Sequence, residues 1–599
     1  VFLGAALLFA APPGAAQTPP PVQGGDTVRV SPDTIPAPRD TIPASTDTVP
    51  KPPADTLKPV KVVVPFPTSG QAAAWSAGVW EWKREDLMRA SALTLTDLLE
   101  QIPGMTSIRS GFYGHAEAAT SAGGVGGRVE VVLDGFALDP LGSANYDLGR
   151  LELVQLNRVR VQRRGDGVRI ELETVAPADN RTYSLVEAGT GDRGAKLFRG
   201  TFLVPHVLAG PLALGVERLD GDGYVGSGAA NTFTGWLKWG LVRGNNALQF
   251  ELRRNGVERM DERGETVLDG VRRDWVLRAR SRPLEGVTAE AFFGSSSLED
   301  QLRDTTFAER GLQGGGRLGY LGEHGWGSLT LRARNNALMP GLEAEGEAGT
   351  RLGRILDLSG NVAWADWRGG AKATSYGVRA AGGPFLPIRP FIEWSSGTRG
   401  VPGLEREGGG AVLTDRDVLR LGGEVEWKGA RVGVARTRLT ADSVADFGLP
   451  FDRTARLYAG GTANGWEVSG RLPLFSSPFA LEGWYTRWDA ATPWIYLPAQ
   501  SWRAALVYHH LPLPSGNLEI TGRLEAHRRG AMAIPDATSG LIGVPGLTAL
   551  DLDLQIRILD VRAFIRWNNI THRLMQYDVP GRLFPGQRVF YGVKWQFWN

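Results

Sequence analysis

The chain has 599 residues, with 79 glycines, no cysteine, 22% charged residues and a formal net charge of +2. Without cysteine there is neither a disulfide framework nor a zinc–thiolate site, and the charge balance is not basic enough for a nucleic-acid binder. Past the N-terminus no run of about 18 apolar residues occurs, which excludes ordinary spanning helices but leaves a membrane barrel open.

The opening residues, VFLGAALLFAAPPGAAQ, form an apolar stretch broken by Pro12 and Pro13 and followed by small residues. That is the layout of a secretory signal over residues 1–16, with cleavage near Ala16. No initiating Met or basic leader precedes it, so the start is expected to be truncated. Residues 17–70 are rich in proline and repeat an Asp-Thr pair at Asp26, Asp33, Asp40 and Asp47, a composition that stays extended and builds no core. At the end of this spacer Val60, Lys61, Val62, Val63 and Val64 form a β-prone island between Pro59 and Pro65. An isolated strand cannot satisfy its own backbone, so it stays disordered, joins a sheet edge, or begins the domain that follows.

Residues 71–179 read as a small α+β domain. In TLTDLLEQIPGM, Thr94 caps a helix with Asp97 three residues on, and Leu95, Leu98, Leu99 and Ile102 keep helical spacing until Pro103 and Gly104 stop it. RVEVVLDGFAL is a strand running into a turn at Asp134 and Gly135, and NRVRVQRRGDGVRIELETV is a hairpin about residues 165–167. The glycine cluster at 123–127 is not a phosphate loop, because it runs into a strand rather than a helix N-terminus, and it is expected to be a hairpin loop.

From residue 180 to 599 one theme repeats: about ten residues of apolar–polar alternation, then a turn. ALDLDLQIRI is the plainest case, with Leu550, Leu552, Leu554, Ile556 and Ile558 opposed to Asp551, Asp553, Gln555 and Arg557. A first pass finds 23 runs; merging the pair at 456–472 gives 22, and an even number is what a barrel that begins and ends on the same side requires. Short joints at 243–246 and 559–562 alternate with long ones at 396–417 and 528–546. The final strand, RVFYGVKWQFWN, sets Val589, Tyr591, Val593, Trp595 and Phe597 towards lipid and Arg588, Gly592, Lys594 and Gln596 towards the lumen, and is expected to close against the first strand. Arg253, Arg278, Arg280, Arg332, Arg334 and Arg557 lie on polar faces and are expected to line the lumen. There they either steer an anionic solute or, as the favoured reading, hydrogen-bond the inner domain and neighbouring acids. No catalytic constellation stands out, and the adjacent His509 and His510 point to opposite faces of a strand, so no metal site is expected from them.

These parts, in this order, resemble a TonB-dependent receptor. The resemblance rests on TLTDLLEQIPGM, RVEVVLDGFAL and NRVRVQRRG in the small domain and on VPGRLFPGQRVFYGVKW at the end. It implies a membrane all-β protein, an antiparallel outer-membrane barrel of about 22 strands around a small N-terminal plug, with plug and spacer on the periplasmic side. It further implies that Val60–Val64 is the segment held by a TonB-type energy-transducing protein, and that Thr94, Asp97, Leu98, Leu99, Pro103, Gly104, Asp134 and Gly135 are plug-motif positions. Tyr591, Val593, Trp595 and Phe597 would be the signal read by the barrel assembly machinery. The implied function is energised uptake of a scarce nutrient, a siderophore, cofactor or oligomer, by a monomeric, lipid-embedded, non-enzymatic barrel without a cofactor. The alternative is a structural or interaction barrel, or a passive porin-like channel, that kept the receptor architecture.

Overall fold

The computed structural model describes residue 71 and residues 73–598, except 122–127, 142–144, 165–166, 178, 209, 354, 384–387, 406–410, 448–455, 475–476, 491–493, 537–539, 574, 577, 579–581 and 585. The signal, the spacer, the valine-rich island and the glycine cluster at 123–127 lie outside the described residues.

Period-two alternation becomes a closed barrel of 22 antiparallel strands. In the small inner domain come strands β1 (Val79–Lys83), β2 (Met105–Arg109), β3 (Glu117–Ser121), β4 (Arg128–Leu133), β5 (Phe136–Ala137), β6 (Leu156–Arg164) and β7 (Gly167–Thr174). The barrel then begins with β8 (Tyr183–Gly191) and β9 (Lys196–Val207) and ends with Arg588–Trp598. Its closing seam pairs that last strand with β8, from Phe590↔Gly191 to Trp598↔Tyr183, so no edge is left open to lipid. On the last strand Tyr591, Val593 and Trp595 are exposed on the outer face, whereas Phe590 and Lys594 are buried on the inner one.

The expected merge is a single strand, Leu457–Pro473. Its register against the preceding strand holds from Arg431↔Arg471 through Thr440↔Thr462 and Ser443↔Ala459 to Ala445↔Leu457, with Gly461 taking φ of 140° on the way. The long joint expected at 396–417 is a correction: strands Ile388–Glu405 and Ala411–Trp427 extend into it, so only 406–410 separates them. Thr, Arg, Asp and Gly at the strand tips mask the alternation once the strands rise above the apolar band. The joint expected at 528–546 contains a further hairpin, Met532–Pro535 with Leu541–Val544.

Inside the barrel, β1, β6, β7, β4 and β5 form one sheet in that order, with β4 and β7 parallel and the other pairs antiparallel. Two short helices precede the β2–β3 hairpin: α1 (Arg84–Arg89) and α2 (Leu95–Leu99). The leucine spacing that predicts α2 buries Leu95, Leu98, Leu99 and Ile102 in the domain's core with Val131, Val159 and Ile170. The helix is shorter than its apolar pattern. Gln101 and Ile102 donate to Leu98 and Leu99 carbonyls three residues back, tightening the last turn, and Gly104, with φ of 74°, reverses the chain. The Asp134–Gly135 turn has left-handed φ at both residues, 46° and 87°, the hairpin geometry that Asp-Gly favours.

Two segments on the long-joint rim fold inward. Trp494, Ile495, Tyr496 and Leu497 pack with Met532, Ile534 and Val544 of the extra hairpin onto Ile108 and Ala118 of the β2–β3 hairpin. Ile495 bridges Ala533, and the Tyr496 N–H donates to the Ala533 carbonyl at 2.9 Å. Burying these large apolar side chains is what draws connecting segments off the surface and over the inner domain.

Candidate functional site

The inner domain meets the barrel wall through apolar clusters, such as Leu93, Phe112 and Tyr113 with Leu197, Phe564 and Phe590, and through a set of buried ion pairs. Asp97, in the first turn of α2, accepts from its own chain at Leu93 N (2.9 Å) and Thr94 N (3.3 Å), from Arg109 of β2 (2.7 Å), and from Arg566 on the barrel strand Val561–Asn568 (2.6 Å). Burial opposes a charged carboxyl here, but Arg566 and Arg109 outweigh it and hold Asp97 well below the usual carboxylate range. Thr94 supplies the backbone N–H that Asp97 caps. Leu98 and Leu99 belong to the core, and Pro103 offers its carbonyl to Arg163 at 3.2 Å.

Asp134 binds Lys238 of the wall at 2.8 Å and the Thr174 N–H at 3.0 Å. Beside it, Gly135 leaves room for Arg317, whose guanidinium any side chain at 135 would strike. The wall arginines singled out by the alternation behave as follows. Arg253 holds Glu152 of the inner domain through Nε (2.8 Å) and Nη2 (2.6 Å), and also donates to Tyr146 Oη and the Arg150 carbonyl. Arg278 spans Glu251 (2.7 Å) and the Leu133 carbonyl (3.2 Å). Arg332 meets Glu130 of β4 at 3.1 Å, and Arg334 meets Asp139 at 3.1 Å; both also bind Glu343 of the wall. Arg280 pairs with Glu290 inside the wall. Arg557 sits at the short-turn rim on Glu519 (2.8 Å) and the Gly516 carbonyl (2.9 Å).

Sequence reasoning names Asp97 as a capping and plug-motif residue but does not find Arg109, Arg566 or Arg503, nor the pairing of Asp97 with the first two. Arg566 and Arg503 carry the same signal as the arginines it does name, a cation on the polar face of an alternating strand. Among the described residues Glu525, His527 and Asp551 bring ligand atoms within 4.8 Å of one another, but Glu525 is already bound by Arg503 and Arg523, so a metal ion there would compete with two guanidiniums.

At the apex of the inner domain His115 is buried and its Nε2–H donates to the Gly228 carbonyl at 3.0 Å. Burial pushes its pKa down from 6.5 to about 4. A base depressed in the folded state contributes fully above its unfolded pKa and loses that contribution as pH falls. Between pH 6.5 and 4 the packing around His115 is therefore expected to lose about 3 kcal/mol, at ~1.4 kcal/mol per unit, because a charged ring is buried, although the hydrogen bond to Gly228 favours that form. Hydrogen exchange at residues 110–116, corrected for intrinsic rate, should show acid loosening that His115→Gln lacks; equal loosening in both proteins would rule it out.

Of the cavities between inner domain and wall among the described residues, two adjoin the end of α2. One, of about 350 Å³, is at the short-turn rim and is lined by Trp75, Trp80, Gln101 and Pro103 facing Arg431, Trp484 and Arg503. The other, of about 110 Å³, lies towards the long-joint rim between Asp97, Met105 and Arg109 and the wall residues Trp484, Arg503, Arg529 and Arg566. Asp578, from a connecting segment, bounds the second cavity and accepts from Arg529 at 2.6 Å and from the Arg109 N–H at 3.1 Å.

Residues 74–173, the inner domain, match the TonB-dependent Receptor Plug Domain family. The whole fold is similar to that of the siderophore receptor PirA from Acinetobacter baumannii (TM-score 0.68, 10% identity, 88% of this chain and 100% of that one). It is similar too to a mutant of the ferric enterobactin receptor PfeA from Pseudomonas aeruginosa (0.66, 11%, 88% and 100%). The FrpB iron transporter from Neisseria meningitidis gives 0.67 at 11% identity over 87% and 99%. No curated protein matches at the sequence level. At such identities the likeness is one of fold.

Proposed function

We propose that this chain, a TonB-dependent receptor of the outer membrane by its plug and its 22-stranded barrel, takes up a scarce solute by energised movement of the plug. The observation that carries the reading is the chemistry of the plug–wall contact. Asp97–Arg566, Glu152–Arg253, Glu130–Arg332, Asp139–Arg334 and Asp134–Lys238 all cross it as ion pairs. A permanent seal would be more stable built from apolar side chains, because burying charges costs much of what pairing returns. Charged faces that separate into water regain hydration, which suits a plug that leaves and returns. The neighbours in fold are named for siderophores and iron, so ferric chelates are the first solutes to try.

The experiment is accumulation of labelled ferric chelates, and then of other scarce nutrients, by cells with and without the gene. Receptor-dependent accumulation that collapses when the proton gradient is discharged is the expected result. Receptor-dependent flux that persists without the gradient would establish a passive channel instead.

A further inference from the structure

The two cavities meet on one wall. Trp484, on strand Phe479–Ala490, and Arg503, on strand Gln500–His510, line both of them. On the plug side the divide is the end of α2 and the turn after it: Glu100 borders the upper cavity, and Gln101 and Pro103 border the lower. Across that divide Arg503 donates to Glu100 at 2.9 Å.

We infer that Arg503–Glu100 is the latch of the solute route, which runs along this wall from the upper cavity to the lower when the two residues part. The inference rests on the uptake reading. Its main support is that both partners stay paired after separation. Arg503 also donates to Glu525 on the adjacent wall strand, and Glu100 also receives Arg109 of the plug at 3.0 Å. Opening therefore leaves no buried charge alone, which is the costly part of breaking an internal ion pair. Arg253 shows the contrast. Once Glu152 leaves with the plug, its remaining carboxylate is Asp274 at 3.6 Å, and its side chain is only 1% exposed. The Arg503 and Glu100 side chains are 13% and 27% exposed, so water already screens their pair and lowers the cost of parting them. Gly104, in its left-handed conformation directly after the turn, lets the 100–104 segment reverse beside Arg163 and Thr486.

The chain has no cysteine, so a clean test is available. The full-length Glu100→Cys/Arg503→Cys receptor is purified, reconstituted in planar bilayers and assayed for potassium chloride conductance before and after bridging with a short bis-maleimide. Wild type is expected to be silent. The unbridged variant is expected to open measurably above that background, by up to about fivefold, the upper factor for loss of one partly screened pair. Bridging is expected to return it to wild-type silence, and because the same folded protein is read twice, misfolding cannot imitate the result. A variant as silent as wild type, or a leak that bridging leaves unchanged, overturns the latch while leaving the uptake reading intact. Steady conduction by wild type would overturn both.

Discussion

Asp97→Asn is expected to loosen the plug from the wall by about 3–5 kcal/mol, the cost of removing one member of a buried charged pair. The replacement keeps the size of the side chain but removes the charge that faces Arg109 at 2.7 Å and Arg566 at 2.6 Å. Arg109 keeps Glu100 at 3.0 Å and Glu117 at 3.7 Å, whereas among the described residues Arg566 keeps one carboxylate, Asp553 at 3.8 Å, and the Ser91 carbonyl at 3.3 Å, so the larger part of the loss falls on the wall contact. Hydrogen exchange across residues 93–109 should rise in the variant while the barrel strands stay protected. A double-mutant cycle with Arg566→Gln isolates the pair, with an expected coupling of roughly 0.5–3 kcal/mol; additivity would mean that Asp97 acts within the inner domain alone, through its helix cap and Arg109. The pH dependence separates this node from His115. Asp97 is a depressed carboxyl, so its contribution is present above the unfolded carboxylate pKa and is lost only as pH falls through the much lower folded value. Its contact should hold over the interval in which burial of the charged His115 ring loosens its surroundings.

The second large effect belongs to the valine island. Val62→Pro is expected to abolish energised uptake and Val62→Thr largely to preserve it. If this segment is captured as an added strand by the energy-transducing partner, main-chain hydrogen bonds give most of the affinity. Proline removes one N–H and fixes φ, whereas threonine keeps the backbone and the β-branched shape. Uptake of the identified solute, normalised to the amount of receptor in the outer membrane, is the readout. Normal folding, normal solute binding and wild-type transport by the proline variant would remove the segment from the coupling role. A fall in the amount or heat stability of folded receptor would instead place the valines at the start of the plug's first strand.

Local periodicity carried the sequence far because strand and helix faces repeat over two and 3.6 residues, distances that a short stretch of chain encodes by itself. ALDLDLQIRI lies within the strand Leu547–Ile558, the last strand shows its aromatic face outward, and the leucines after Thr94 fill a core, each as its own neighbours dictate. Parity supplied the strand count where local pattern was ambiguous at 456–472. Partners were another matter. Alternation places Arg253 and Arg332 on the inner face, but which acid each meets depends on strand register and on how the plug sits in the closed barrel. Asp97 and Arg566 are separated by 469 residues, and nothing local to either one encodes the other. The same holds for Trp494 and Ile534, apolar residues in connecting segments whose burial exists only because the barrel brings both over the plug. It holds most of all for Arg503: its sequence neighbourhood says inward-facing cation, and only the tertiary structure sets it between Glu100 of the plug and Glu525 of the wall, where it can exchange one carboxylate for the other without ever standing uncompensated.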